Sequence, residues 1–125
     1  MRRIDDPRRR LLLAAIGVAN EGDQCLHTFL PMEEELDGAP RCFQKERLWA
    51  HLFDQDAERL KRTARRLGVR VVFVHRPGEP GQHVDLCAGP LGKAIIEAEE
   101  VRHEALPRLM RLGVEAFKRR GKEGG

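Results

Sequence analysis

The segment His83-Val84-Asp85-Leu86-Cys87 places an imidazole, a carboxylate and a thiol at alternate positions. On an extended backbone alternate side chains share a face. His83, Asp85 and Cys87 then point one way, and Val84 and Leu86 point into a core. Upstream, His51 lies in Trp49-Ala50-His51-Leu52, a segment that reads as helical, and completes a set of two histidines and one carboxylate. Such a set binds a divalent metal while leaving positions for water and substrate. The ion can activate water for hydrolysis of a phosphoester or an amide. Without metal, His83 would serve as general base, oriented by Asp85 or His51. His51, His83 and Asp85 are therefore the candidate catalytic and metal-ligating residues. The competing structural reading has His83 and Asp85 capping a loop, with His51 half-buried beside Trp49. His27, His75 and His103 have no such pattern around them and read as structural.

Elements that would position the trio follow from periodicity. Phe53, Ala57, Leu60, Ala64 and Leu67 step by four and three, which predicts a helix over about 54–67. Gly68 suits the left-handed position that ends it. The opposite face carries Arg59, Arg62 and Arg66, interleaved with Glu58, and reads as solvated. Val69–Val74 is a nearly continuous apolar run and predicts a central strand covered on both faces. The Arg76-Pro77-Gly78-Glu79-Pro80-Gly81 loop then delivers His83. It shows no phosphate-loop or dinucleotide pattern. Ala88-Gly89-Pro90 precedes a helix from about Leu91, and Pro107 opens a last one.

Earlier in the chain, Asp6-Pro7 resembles a helix start, with Leu11, Leu12, Ala15, Ile16 and Ala19 on one face up to Gly22; a strand across Leu11–Val18 is the competing reading. Cys25, His27 and Phe29 alternate with Leu26, Thr28 and Leu30, a strand ended by Pro31. Residues 31–43 hold two prolines, a glycine and an acidic run, and read as a loop. At 125 residues the chain reads as one α/β domain over 1–120, with a short sheet around Val69–Val74 flanked by helices and a flexible tail at 121–125.

A second set of residues carries a resemblance. Trp49-Ala50-His51-Leu52, then Leu60, Ala64, Leu67 and Gly68, then His83-Val84-Asp85-Leu86 resemble a small bacterial family of unknown function. That family's pattern runs Trp-x-His-Leu, an amphipathic helix ending in Leu-Gly, then His-Tyr-Asp-Leu. The likeness covers residues 47–98, with Val84 in place of the tyrosine. It implies an α/β fold, His51, His83 and Asp85 as recurring polar residues, and an opening strand at Ile4-Asp5-Asp6. It implies no activity.

Composition narrows the rest. The net charge of +3 is uneven: residues 1–10 sum to +3, residues 106–125 to +4, and the body to −4. Basic ends could hold a phosphate-bearing ligand, a nucleic acid or an acidic partner. With a single Trp and no Tyr, few rings could stack on bases, which weakens single-strand binding. Three cysteines without a CxxC spacing argue against a disulfide framework and read as buried reduced thiols. Leu11–Ala19 is too short for a membrane span, and no small-x-small cleavage site follows it, so a cytoplasmic protein is expected. The sequence thus points to a His/Asp pocket, with metal-assisted phosphoester hydrolysis as one outcome. A non-catalytic accessory role through the basic ends, or binding of a small ligand without turnover, are the others.

Overall fold

The computed structural model describes residues 1–124, with side chains described to Arg119. The elements run β1 (Arg2–Asp5), α1 (Leu12–Asn20), β2 (Cys25–Phe29), α2 (Glu33–Gly38), α3 (Arg41–Gln44), β3 (Trp49–Phe53), α4 (Ala57–Leu67), β4 (His83–Cys87), α5 (Ala88–Glu97), β5 (Glu99–Glu100) and α6 (Leu106–Gly124). The strands form one mixed sheet in the order β4-β3-β2-β1-β5. β1 is parallel to β2 and β5, and β3 is antiparallel to β2 and β4. The α/β class, with a sheet flanked by helices, is as expected.

Strand alternation sorts side chains onto two cores. Leu26, Ala50, Leu52, Val84 and Leu86 pack with Leu60, Ala64 and Leu67 of α4 and Leu91 and Ala94 of α5. Ile4, Cys25 and Phe53 face the other way, against Ala14, Ala15, Ile16, Val18 and Ala19 of α1 and Leu109 of α6. His27, His51, His83 and Asp85 occupy the positions that share this second face. α1 and α6 cross at glycines. A Cβ added to Gly17 would stand 2.0 Å from the carbonyl oxygen of Leu109, and one added to Gly113 2.0 Å from that of Leu13. The two helices therefore meet backbone to backbone.

α4 begins and ends as its sequence predicts. Asp56 caps it by accepting the Arg59 N–H at 3.0 Å, and Gly68 closes it with φ of 104°. Phe53, however, belongs to β3 and packs on the opposite side of the sheet. His51 likewise sits on a strand, not on the helix expected for Trp49–Leu52. Trp-Ala-His-Leu-Phe alternates between the two faces, and β2 and β4 bond to it on both sides.

Val69–Val74 forms no strand. Val71 and Phe73 are 85% and 66% exposed, while Val69, Val72 and Val74 rest against the core beside α4 and α5. The segment passes outside edge strand β4 and meets it at one antiparallel bridge, His75 to His83. Only one side of it has a partner surface, so the apolar run does not become a central strand.

Residues 31–43 hold two short helices instead of a loop. In α2 the Glu35 carboxylate returns to the Met32 N–H at 2.8 Å, so the acidic run supplies its own N-terminal cap. α1 starts at Leu12 instead of following Asp6-Pro7. Asp6 closes the turn before it by accepting the N–H groups of Arg10 and Leu11 at 2.8 and 2.7 Å. The alternative expectation, an opening strand, corresponds to β1. α5 starts at Ala88, three residues early. Cys25 and Cys87 are buried but Cys42 is exposed. The tail expected at 121–125 falls on residues whose side chains, and in Gly125 the whole residue, lie outside the described residues.

Candidate functional site

The candidate residues are brought together by strand register. His27, His51 and Asp85 stand directly across from one another on β2, β3 and β4. Neighbouring strands lie about 4.8 Å apart, so facing side chains touch. His83, two positions before Asp85 on the same face, lies opposite Phe53. One ligand atom from each of His51, His83 and Asp85 falls within 4.8 Å of the other two.

Each member is oriented by a neighbour. The Nδ1 of His83 lies 2.7 Å from the Gly81 carbonyl oxygen. A carbonyl only accepts, so Nδ1 carries the hydrogen. Nε2 is left facing the Asp85 Oδ1 at 3.3 Å. The rings of His51 and His83 meet edge to face with centroids 4.7 Å apart. The Asp85 side chain is 38% exposed and that of His83 14%, so the group opens to solvent on the Asp85 side.

Two further histidines that the sequence did not single out join the row. His75 places Nε2 3.1 Å from the second oxygen of Asp85 and stacks on His83 at 5.0 Å. His27 is fully buried. Its Nδ1 meets the Nδ1 of His51 at 3.0 Å, and its Nε2 lies 2.7 Å from Asp6 Oδ2. The sequence did hold a signal for His27: an imidazole central in the apolar strand Cys25–Phe29 must find buried partners. For His75 no local signal exists, because only the chain's return past β4 puts it there. His103 lies in the short turn before α6. Cys87 shares the face of Asp85 but directs its thiol toward the Cys42 carbonyl oxygen at 3.8 Å. Burial pushes that thiol up to about 11.

Burial, reinforced by repulsion from His83 and His27, pushes the His51 imidazole down to about 3. Burial also lowers His27, against the pull of Asp6. For Asp85 burial works upward, but His83 and the other histidines outweigh it and hold the carboxyl below its usual range. Asp6 is likewise held low, since His27 and the N–H groups of Leu11 and Arg10 overcome its burial. The row therefore presents neutral His51 beside ionised Asp85 at neutral pH. A cation stands close by. The Arg9 guanidinium lies 4.5 Å over the Phe29 ring, which stacks on His51 at 4.5 Å, and it is held by Glu35 of α2.

Comparison with protein families, curated proteins and solved structures finds no match, so the site is read from its own chemistry. A surface depression lined by Glu33, Leu36, Asp37, Gln44 and Arg47 lies on the α2–α3 segment and holds none of the row. Part of the charge at the basic ends is spent internally: Arg2 pairs with Glu99, Arg3 with Asp5 and Glu100, Arg9 with Glu35, and Arg108 with Glu21. No helix among the described residues is long and apolar enough to cross a membrane.

Proposed function

We propose that this protein binds a divalent transition-metal ion through His51, His83 and Asp85 and uses it to hydrolyse a phosphoester. One observation carries the reading. His83 has its Nδ1 hydrogen committed to Gly81, and turns Nε2 toward a carboxylate 3.3 Å away. A lone pair and an anion repel, so either a second hydrogen on His83 or a metal ion must lie between them. With His51 converging on the same point, a metal ion satisfies all three groups together. Outer partners support each ligand in the way metal sites require: Gly81 for His83, His27 for His51, and His75 for the second oxygen of Asp85.

When bound, the ion would acidify a coordinated water and polarise a phosphoryl oxygen. The half-exposed side chains of Asp85 and His75 leave that position open to substrate. Arg9 stands beside the row, but its charge is paired with Glu35, so the pull on an anionic substrate comes from the bound ion itself. The trio is also that of the Trp-x-His-Leu and His-x-Asp-Leu pattern, and kinship with that bacterial family is part of the proposal.

The test is titration of the metal-stripped protein with Zn²⁺ or Mn²⁺ by calorimetry, followed by an assay on a chromogenic phosphodiester. The expected result is one ion per chain, with binding and turnover both lost in His83→Ala and Asp85→Asn. Binding that these variants leave unchanged would overturn the site. Binding without turnover on phosphoesters would overturn the reaction.

A further inference from the structure

A line of buried groups runs behind the candidate site and ends on His51. Asp6 sits in the turn before α1, 4% exposed, and its two oxygens accept the Arg10 and Leu11 N–H groups. Its Oδ2 also contacts His27 Nε2. His27, at 0% exposure, reaches across to His51 through Nδ1. Every contact in this line is set by backbone: the Asp6 turn by the first N–H groups ahead of α1, and His27 and His51 by facing positions on β2 and β3.

The donors and acceptors along this line admit one neutral arrangement. The Asp6 carboxylate already accepts two N–H bonds and has no hydrogen to give, so His27 must donate from Nε2. A neutral imidazole carries one hydrogen, so His27 Nδ1 is bare and accepts. Its partner at 3.0 Å is His51 Nδ1, which must then donate. His51 is left with hydrogen on Nδ1 and a bare Nε2.

We propose that Asp6 and His27 are positioning residues that fix His51 in the tautomer with hydrogen on Nδ1 and a lone pair on Nε2. Its use for metal rests on the reading of His51, His83 and Asp85 as a cation site. The opposite tautomer would put a hydrogen on the nitrogen offered to the ion. Its Nδ1 would then face the bare Nδ1 of His27, two lone pairs 3.0 Å apart in a buried place. Asp6 and His27 thus select the metal-ready form before any ion arrives.

Two-bond ¹H–¹⁵N correlation spectra of the metal-free protein at pH 7 report the tautomer directly. The expected spectrum shows His51 Nδ1 protonated, with Nε2 at the shift of a bare ring nitrogen. A His51 with hydrogen on Nε2 would overturn the proposal, whether or not the protein binds metal. Conversely, absence of Zn²⁺ binding alongside the expected spectrum would defeat the metal reading and leave the tautomer assignment standing. In a second arm, His27→Phe keeps a buried ring but removes both bonds. It should lose the single-tautomer signature and weaken Zn²⁺ binding by about ten- to a hundredfold. His27→Gln, whose amide can donate to Asp6 and accept from His51, should restore most of both. Equal loss in Phe and Gln variants, each confirmed folded, would assign His27 a packing role only and overturn the proposal.

Discussion

Replacing Gly17 by Ala should be costly even though alanine is the better helix former. The new Cβ would stand 2.0 Å from the Leu109 oxygen, 2.9 Å from its carbon and 3.1 Å from Gly113 N. All three are backbone atoms, so no rotamer relieves the clash. Ordinary contact needs roughly 1 Å more separation between α1 and α6, which loosens Ala14, Ile16 and Leu109 together. Overpacking of this kind costs about 3 kcal/mol, and the alanine's helix propensity returns about 1. The net loss is about 2 kcal/mol. At about 2.1 cal/mol/K per residue of unfolding entropy, a chain of 125 residues would lose roughly 8 °C in Tm. Gly113→Ala meets the Leu13 oxygen at the same crossing. The first substitution opens the gap that the second needs, so the double variant should fall well short of additive. Urea unfolding of the four proteins measures the cycle. A Gly17→Ala protein more stable than wild type would refute the close approach.

Other outcomes follow from the site and its supports. His51 titrates near 3 when folded and near 6.5 when unfolded, so its share of stability is present above pH 6.5 and lost as pH falls below it. Unfolding free energy should drop by about 2 kcal/mol or more between pH 7 and pH 5, with His27 adding in the same direction; a flat profile in urea melts would contradict the buried neutral row. His83→Ala should abolish Zn²⁺-induced thermal stabilisation, yet shift the metal-free midpoint by no more than a few degrees, since its partners are a carbonyl and a half-exposed carboxylate. Asp56→Ala removes the cap of α4 and should cost about 1 kcal/mol by denaturant melt, with metal affinity untouched.

The parts legible in the sequence were those governed by neighbours along the chain. Leu60, Ala64, Leu67 and Gly68 marked α4 and its end, and the alternation of 83–87 marked β4. The trio could be named from residue types. What brings it together could not, because the pairing of His51 with Asp85 is a matter of register between strands separated by α4 and a long loop. Reading Trp49–Leu52 as helical had the same origin: Phe53 lies four residues before Ala57 and mimics the next helical step. Val69–Val74 misled because composition records how apolar a segment is, not how many of its sides find cover. His27 was passed over as structural. It is buried, yet its second nitrogen reaches His51, and one side chain fills both roles.

The sheet order has a consequence for how the molecule is made. β1 lies between β2 and β5, with Arg2 facing both Cys25 and Glu99, and α1 receives its glycine-matched partner only from α6. During synthesis α1 can cover only its sheet-facing side, against Ile4, Cys25 and Phe53, until α6 is made. The histidine row depends on the same early segment through Asp6. β2, β3 and β4, with His51, His83 and Asp85, all precede α6 along the chain. The lasting fold is sealed only when the late helix closes over the early one.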